Sequence, residues 1–371
     1  MGLAALACAS SLALAAAPAL AQEPAPVYQQ EKPKPLRFAG DLLARYEWSR
    51  DIPEGGGEVS NDNRWRLQFR PRLEVHTGPF EAGVGGEFNY SSDQNYLAPP
   101  GEKLFIVWDN YRSRDARVDL AYGRLTVGPV VAEGGRFLMP LPLTEMIWDR
   151  DLRPQGGAVG IDLVPRQSST RLTLRGIYAK GSHVFEDESV MYGGGLELRL
   201  GTGAFSSFDL AGSYLQFQDL DQLDPTIRRQ NTRVAGLIVN DYRVVDAVLR
   251  FTRLGTLPLQ LVADYCWNTA ISEHNQGVWL AAALGSLTGS RARLEYTYAS
   301  IDKDATVAAF NSDDFWWNTG WQGHRGDLGI RTVRDSSLHA IAQWQRYKDS
   351  PDPSVHDTWM QRYRIEWRTR F

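Results

Sequence analysis

The sequence predicts an all-β protein, namely a transmembrane antiparallel β-barrel of about 16 strands. Three observations support this prediction. Apolar residues recur at every second position along most of the chain, short and long links alternate between these segments, and the chain ends on an aromatic residue that closes a regular strand. A period of two is the spacing of a strand with one apolar and one polar face.

The N-terminal segment has the features of a secretory signal. The run "GLAALACASSLALAAAPALAQ" is apolar and ends on the small-x-small pattern Ala19-Leu20-Ala21. We therefore expect residues 1–21 to be a cleaved signal peptide, residues 22–36 to be a proline-rich periplasmic leader, and residues 37–371 to form the barrel. About 350 residues and a single cysteine, Cys266, then remain, which excludes an internal disulfide.

Composition excludes two other classes of protein. A helical membrane protein is excluded, because the mean hydropathy is −0.36 and no later stretch reaches the roughly 18 apolar residues that a transmembrane helix needs. The formal net charge of −4 is too small to indicate a nucleic-acid partner.

The alternation begins with the first predicted strands. In "RWRLQFRPRLEVH", Trp65, Leu67 and Phe69 share one face, and arginines occupy most of the other. The same pattern recurs in "FEAGVGGEFNY", "TRLTLRGIYA", "VMYGGGLELRL", "LPLQLVADYCW", "SRARLEYTYA" and "SLHAIAQWQRY". A soluble sandwich would have to seal many of these charges inside, whereas a membrane barrel turns its apolar face to lipid and its charged face to a water-filled lumen.

Link lengths provide an independent argument, because such barrels alternate short periplasmic turns with longer extracellular loops. The short links lie around residues 76–80, 125–129, 164–170, 201–207, 254–258, 285–290 and 333–337. The longer ones are predicted at 49–62, 91–115, 138–154, 181–188, 218–230, 269–276, 302–324 and 348–358. These seven turns and eight loops predict 16 strands with both termini on the periplasmic side, if residues 231–253 form one strand and not two.

The last strand, "YRIEWRTRF", carries Tyr363, Ile365, Trp367 and Phe371 at alternate positions. It resembles the C-terminal signal by which the barrel insertion machinery recognises bacterial outer-membrane proteins. We therefore interpret these residues as an assembly signal.

Three segments, residues 135–163, 244–268 and 294–331, resemble a porin family of Gram-negative outer membranes. The most specific pieces are a WD-D-P-G segment and a D-A-V-F-DF run. They comprise Trp148, Asp149, Asp151, Pro154, Gly156, Asp304, Ala305, Val307, Phe310, Asp314 and Phe315. The double tryptophan Trp316-Trp317 departs from the glycine-rich stretch expected there. The resemblance implies a diffusion channel of unassigned solute.

Catalysis, a cofactor and a metal are not indicated. There is no G-x-S-x-G segment, and none of the histidines at 76, 183, 274, 324, 339 and 356 shares a motif with a nucleophile. Asp149 and Asp151 leave two interpretations open, a calcium ion in an external loop or carboxylates that cap a turn, and turn capping is the commoner use. Successive residues of a strand face opposite sides of the sheet, and by this alternation His76, His339 and Cys266 face the lumen.

Arginines form the candidate pore lining. They are Arg45, Arg64, Arg66, Arg70, Arg72, Arg362, Arg364, Arg368 and Arg370, on the first two strands and the last. Closure of the barrel would place these strands side by side. The arginines could then set up a transverse field that orients anionic solutes, or they could form a self-neutralising network with nearby carboxylates that braces the wall.

These patterns predict an outer-membrane porin for passive diffusion of small hydrophilic solutes, with a weak anion preference. The alternatives are a dedicated channel for an acidic oligosaccharide, of the alginate-export kind, and a plugged barrel that acts as a surface anchor. The expected partners are outer-membrane lipid, the insertion machinery and the solutes, without nucleic acid. The sequence leaves open whether three barrels associate as a homotrimer.

Overall fold

The computed structural model describes residues 35–55, 58–92, 115–164, 169–180, 188–202, 205–228, 231–315, 318–333, 335–348 and 358–371. The predicted signal peptide, nearly all of the leader, and the pair Trp316-Trp317 lie outside the described residues.

Sixteen antiparallel strands form one closed barrel, which confirms the predicted fold class. They are β1 (Leu36–Gly55), β2 (Glu58–Thr77), β3 (Phe80–Ser91), β4 (Asp115–Val127), β5 (Val130–Arg136), β6 (Gln155–Asp162), β7 (Thr170–Lys180), β8 (Val190–Gly201), β9 (Ser206–Gln218), β12 (Tyr242–Arg253), β13 (Leu259–Asn268), β14 (Gln276–Ser286), β15 (Ala292–Ile301), β16 (Trp321–Arg331), β17 (Ser336–Tyr347) and β18 (Met360–Arg370). β10 (Arg233–Val234) and β11 (Leu237–Ile238) form a separate hairpin in the link before β12. Short links join the strands at one end, the turn end, and most links at the other, the loop end, are long.

Two predicted boundaries are wrong. Of the loop expected at 49–62, the described residues 49–55 and 58–62 continue β1 and β2, which stay paired from Ser49 outward across two register irregularities. Residues 231–253 are not one strand, because the chain turns at Ala235 and Gly236, where φ is positive (51° and 82°), and the barrel strand begins only at Tyr242. Positive φ values reverse the chain direction and end the extended pattern.

The outer face of the barrel is apolar with aromatic rings towards both ends. Aliphatic side chains such as Leu210, Leu294 and Ile365 remain 47–54% exposed on it. Exposed rings towards the loop end are Tyr46, Trp65, Tyr90, Tyr178, Tyr214, Tyr265, Trp267, Tyr296 and Trp344, and towards the turn end Phe38, Phe80, Phe205, Phe208, Trp367 and Phe371. This arrangement is typical of a barrel surrounded by lipid. Within the described parts of the chain, no helix has the length and apolar character to cross a membrane.

The C-terminal residue completes the closure. Phe371 exchanges two backbone hydrogen bonds with Gly40, at 2.9 and 3.1 Å, and its ring packs between Phe38 and Phe69. A Cβ atom at Gly40 would lie 2.5 Å from that ring and 2.6 Å from the carbonyl oxygen of Arg70. Glycine at position 40 therefore makes room for the terminal aromatic ring.

The hydrophobic core lies inside the barrel. Two long links fold into the lumen, and we call them inner loop 1 (residues 137–154) and inner loop 2 (the described residues 302–315 and 318–320). Their side chains pack against lumen-facing residues near the loop end of the strands. The fully or almost fully buried members include Phe137, Met146, Ile147, Phe310 and Phe315 from the loops and Met191, Leu215, Tyr242, Val244, Cys266 and Trp321 from the wall. The inner loops therefore fill much of the lumen at this level.

Candidate functional site

The two motifs that carry the family resemblance meet inside the lumen. The rings of Trp148 in inner loop 1 and Phe310 in inner loop 2 stack with centroids 5.5 Å apart. The Asp149 backbone N–H donates to the Phe310 carbonyl oxygen at 2.7 Å, and the Asp313 N–H donates to Asp149 Oδ2 at 3.0 Å. The loops therefore form a single packed unit.

Asp304 anchors inner loop 2 to the link between β9 and β12. Its buried carboxylate accepts hydrogen bonds from the backbone N–H and hydroxyl of Thr232 at 2.9 and 2.6 Å. It also accepts from Asn240 Nδ2 at 2.9 Å and from the Tyr242 hydroxyl at 2.6 Å. Four donors on one carboxylate fix the position at which inner loop 2 enters the lumen.

Asp314 anchors the far end of inner loop 2 to arginines of β16 and β18. Its carboxylate accepts from Arg364 at 2.5 Å and from Arg325 at 2.8 Å, and Arg45 lies 3.7 Å away. Burial acts to raise the pKa of Asp314, but Arg364 and Arg325 outweigh it and hold that pKa well below its usual value. The next residue, Phe315, stacks on Trp321 at 4.3 Å. The loop is thus held by charge and by ring packing at adjacent positions.

Asp151 joins inner loop 1 to the arginines of β2, at 3.2 Å from Arg66 and 2.7 Å from Arg70. Asp149 accepts the Asp151 N–H at 2.7 Å, and burial together with nearby Asp313 raises the pKa of Asp149. The geometry of Asp149 is that of a turn-capping carboxylate. Among the described residues, no three His, Cys, Asp or Glu side chains are grouped as metal ligands.

All nine predicted arginines occupy alternate positions on the lumen side of β1, β2 and β18. Five of them are at most 10% exposed and enclosed by carboxylates and the inner loops: Arg45, Arg64, Arg66, Arg362 and Arg364. Glu47 is the centre of this cluster, with Arg64 at 2.5 Å, Arg362 at 3.5 Å and Arg364 also in contact. This enclosed part is a charge-paired network.

The remaining arginines lie closer to solvent. The side chains of Arg72 and Arg368 are 34% and 40% exposed, and each contacts an acid on its own strand, Glu74 and Glu366. Arg70 is mostly buried beside Asp41, and Arg370 is exposed at the turn end. Their role as pore lining stays a prediction.

Charged pairs that the sequence reasoning did not single out line the turn end of the lumen. They are Arg124–Glu133, Arg171–Asp162, Arg175–Glu197, Arg199–Asp209 and Arg293–Glu295. Several of these side chains are 19–41% exposed, so water reaches them. Strand parity places each residue on the lumen side, but only the register of neighbouring strands shows which charges meet.

His339 shows that one sequence conclusion was incomplete. Its Nε2 lies 2.9 Å from the Ser337 hydroxyl and its Nδ1 lies 2.8 Å from Asp327, so this histidine does contact a potential nucleophile. Sequence motifs do not show this arrangement, because Ser337 stands outside a G-x-S-x-G segment and Asp327 lies on another strand. Cys266 lies in the core with its sulfur 3.8 Å from that of Met146, which agrees with its predicted inward orientation.

Comparison with known proteins identifies the fold. No family model and no curated protein matches the sequence. Among solved structures, Salmonella typhi OmpF in complex with daunomycin matches with 13% identity and a TM-score of 0.52, over 91% of this chain and 97% of that chain. Two mutants of the Rh. blastica porin match with 10% identity and TM-scores of 0.49 and 0.48, over 91% of this chain and 100% of theirs. The chain is therefore a closed 16-stranded barrel with the fold of a porin, which confirms the family resemblance at the level of the fold.

Proposed function

We propose that this protein is an outer-membrane porin through which small hydrophilic solutes diffuse passively. One observation carries the proposal: a closed barrel has an apolar outer band and a lumen whose turn end is lined with partly exposed charges. Such a wall keeps water inside the barrel, and closure satisfies the backbone groups that lipid cannot. On this proposal the turn end lies in the periplasm and the loop end outside the cell.

The inner loops form the constriction of the proposed channel. The two loops meet inside the lumen, where Trp148 stacks on Phe310, and they contact the arginines of β2 and β18 through Asp151 and Asp314. We therefore expect a smaller conductance than an unobstructed barrel of 16 strands would give.

The same packing favours a second candidate, a plugged barrel that serves as a surface anchor. Phe310 and Phe315 are completely buried inside the lumen, as plug residues would be. A channel and a plug differ in whether any continuous water path passes beside the loops.

Single-channel recording in planar bilayers separates the candidates. The full chain is compared with a variant in which residues 305–318 are replaced by a short Gly-Ser link, and both are first shown to be folded barrels. Discrete steps from the full chain support the porin, and larger steps from the variant support the constriction. Steps from the variant alone would show a plugged barrel, and steps that an acidic oligosaccharide blocks would show a dedicated channel.

The anion preference is expected to be weak, because the enclosed arginines are paired with carboxylates. Only charges near open water act on a passing ion, within a Debye length of about 10 Å at 0.1 M salt. The combined Arg72→Gln and Arg368→Gln change should move the reversal potential in a salt gradient towards cations. An unchanged reversal potential at low salt would show that these arginines only brace the wall. Arg66 is unsuitable for this test, because its removal would weaken the buried anchor of Asp151.

We assign no catalytic role to Ser337, His339 and Asp327, although their hydrogen bonds follow the order of a hydrolase triad. A triad also needs donors that stabilise an oxyanion. Ser337 lies within β17 and its backbone is paired on both sides, with Arg331 of β16 and Arg368 of β18. Its environment is that of a strand ladder, and the three side chains fit a brace between β16 and β17.

A further inference from the structure

Inner loop 1 carries a basic side chain that lies in solvent-accessible space inside the barrel. The Arg150 side chain is 76% exposed, although the loop that carries it is folded into the lumen. The five enclosed arginines of the wall are at most 10% exposed by comparison. Strand alternation could not single out Arg150, because this residue lies in a loop. Its exposure identifies a charge that a solute inside the lumen can reach.

The backbone on both sides of Arg150 is anchored. Before it, the Asp149 N–H donates to the Phe310 carbonyl oxygen at 2.7 Å, which joins the two inner loops. After it, the Asp151 carboxylate lies 2.7 Å from Arg70 of β2. The loop therefore presents the Arg150 guanidinium at a fixed place in the lumen, and a solute does not have to order the backbone in order to bind there.

The charge of Arg150 is only partly neutralised. In the described part of the chain its guanidinium contacts one acid, Glu145, whose buried carboxylate also lies 3.4 Å from Arg325 of β16. Glu295 interacts with Arg150 electrostatically, but it is itself shared between Arg293 at 2.7 Å and Arg325 at 3.4 Å. Each nearby acid thus serves two arginines, and of these groups Arg150 is the one that lies mostly in solvent.

The chemistry of the guanidinium group favours one class of anion. It has five N–H donors in one plane and binds carboxylate and phosphate groups through two parallel hydrogen bonds. Arg150 contacts Glu145 through Nη2, so its other donors face the lumen. A chloride ion is attracted by the charge but has no second acceptor atom for the paired donors. The exposed guanidinium therefore favours small oxyanions over a monatomic anion of the same charge.

We propose that Arg150 is a binding residue for small oxyanions, that is, solutes with a carboxylate or phosphate group, on their way through the lumen. The proposal rests on the channel function proposed above and names a class of solute for it. It differs from the weak anion preference tested at Arg72 and Arg368, because those arginines lie on the wall and act on a passing ion through their charge. Asp149 and Asp151 are positioning residues for Arg150.

Block of the current through planar bilayers tests the proposal, with succinate and inorganic phosphate as the probes in potassium chloride. Channels of the full chain should be blocked by either oxyanion in a concentration-dependent way. Arg150→Gln should raise the half-blocking concentration about tenfold, through the loss of a charge-assisted hydrogen bond. Arg150→Lys keeps the charge without the planar fork, so it should keep the wild-type reversal potential and still be blocked more weakly than the wild type.

The matched control is Arg243→Gln, because Arg243 is also exposed and paired with an acid, Asp241, but lies on the outer face of β12. This variant should be blocked like the wild type, and a loss equal to that of Arg150→Gln would overturn the proposal. Wild-type block of a folded, conducting Arg150→Gln variant would also overturn it. Wild-type block of Arg150→Lys would show attraction by charge alone and refute the preference for oxyanions. Absence of current steps from the wild type would instead refute the channel, which is a different result from steps that do not depend on Arg150.

Discussion

Truncation of Phe310 should release the inner loops from the lumen. The Phe310 ring is completely buried between two stacked partners, with Trp148 at 5.5 Å and Phe217 at 5.7 Å. Replacement of a buried phenylalanine by alanine costs about 3–5 kcal/mol. If the barrel wall stays intact, this loss falls on the docking of the loops, and the equilibrium for loop opening rises by about a hundredfold to a few thousandfold.

Cys266 reports this opening, because it is the only cysteine that follows residue 8 and it is completely buried under inner loop 1. Its sulfur lies 3.8 Å from that of Met146, so a thiol reagent reaches it only after the loop moves. The labelling rate of Cys266 in the folded Phe310→Ala variant should therefore rise by the same factor, and channel recordings should show larger or noisier steps.

The matched control is Phe88→Ala, which removes a ring that is 48% exposed on the outer face and should leave the labelling rate unchanged. A Cys266→Ala background identifies any signal that does not come from this thiol. If folded Phe310→Ala is labelled at the wild-type rate, the stacked rings do not hold the loops and the reasoning is refuted.

Three further changes test closure, topology and anchoring. Gly40→Val should reduce the yield of heat-modifiable barrel on gels, because a side chain there overlaps the ring of Phe371, and a wild-type yield would contradict this account of the seam. In a Cys266→Ala background, Ser272→Cys should react with a membrane-impermeant thiol reagent on whole cells and Thr202→Cys should not, whereas the reverse result would invert the topology. Asp304→Asn replaces one carboxylate oxygen by an NH2 donor that faces other donors, which should weaken the anchor of inner loop 2. Protease should then cut the link between β9 and β12, residues 219–241, faster than in the wild type, and unchanged cutting would show that the anchor is dispensable.

Much of the barrel was predictable because its determinants are local. Alternation assigns each side chain to the lumen or to the outer face, and the positions of the turns set the number of strands. The errors came where an apolar pattern did not coincide with pairing, as in the continuation of β1 beyond Ser49 and in the turn at Gly236. The backbone φ at a turn depends on contacts with other parts of the chain, and the alternation of apolar and polar residues does not report those contacts.

The sequence by itself determined that the chain is a barrel, and its alternation determined which face of each strand is apolar and which is polar. Only the tertiary structure decided that the lumen is occupied, because a loop without periodicity can fold inward or outward with the same composition. It also decided which carboxylates pair with the arginines. Arg66 meets Asp151, 85 residues away in the chain, and Arg364 meets Asp314, 50 residues away. Contacts at such separations depend on closure of the barrel and on the path of the inner loops. Strand parity therefore identified the charges of the lumen, and packing of the loops determined which of them meet water.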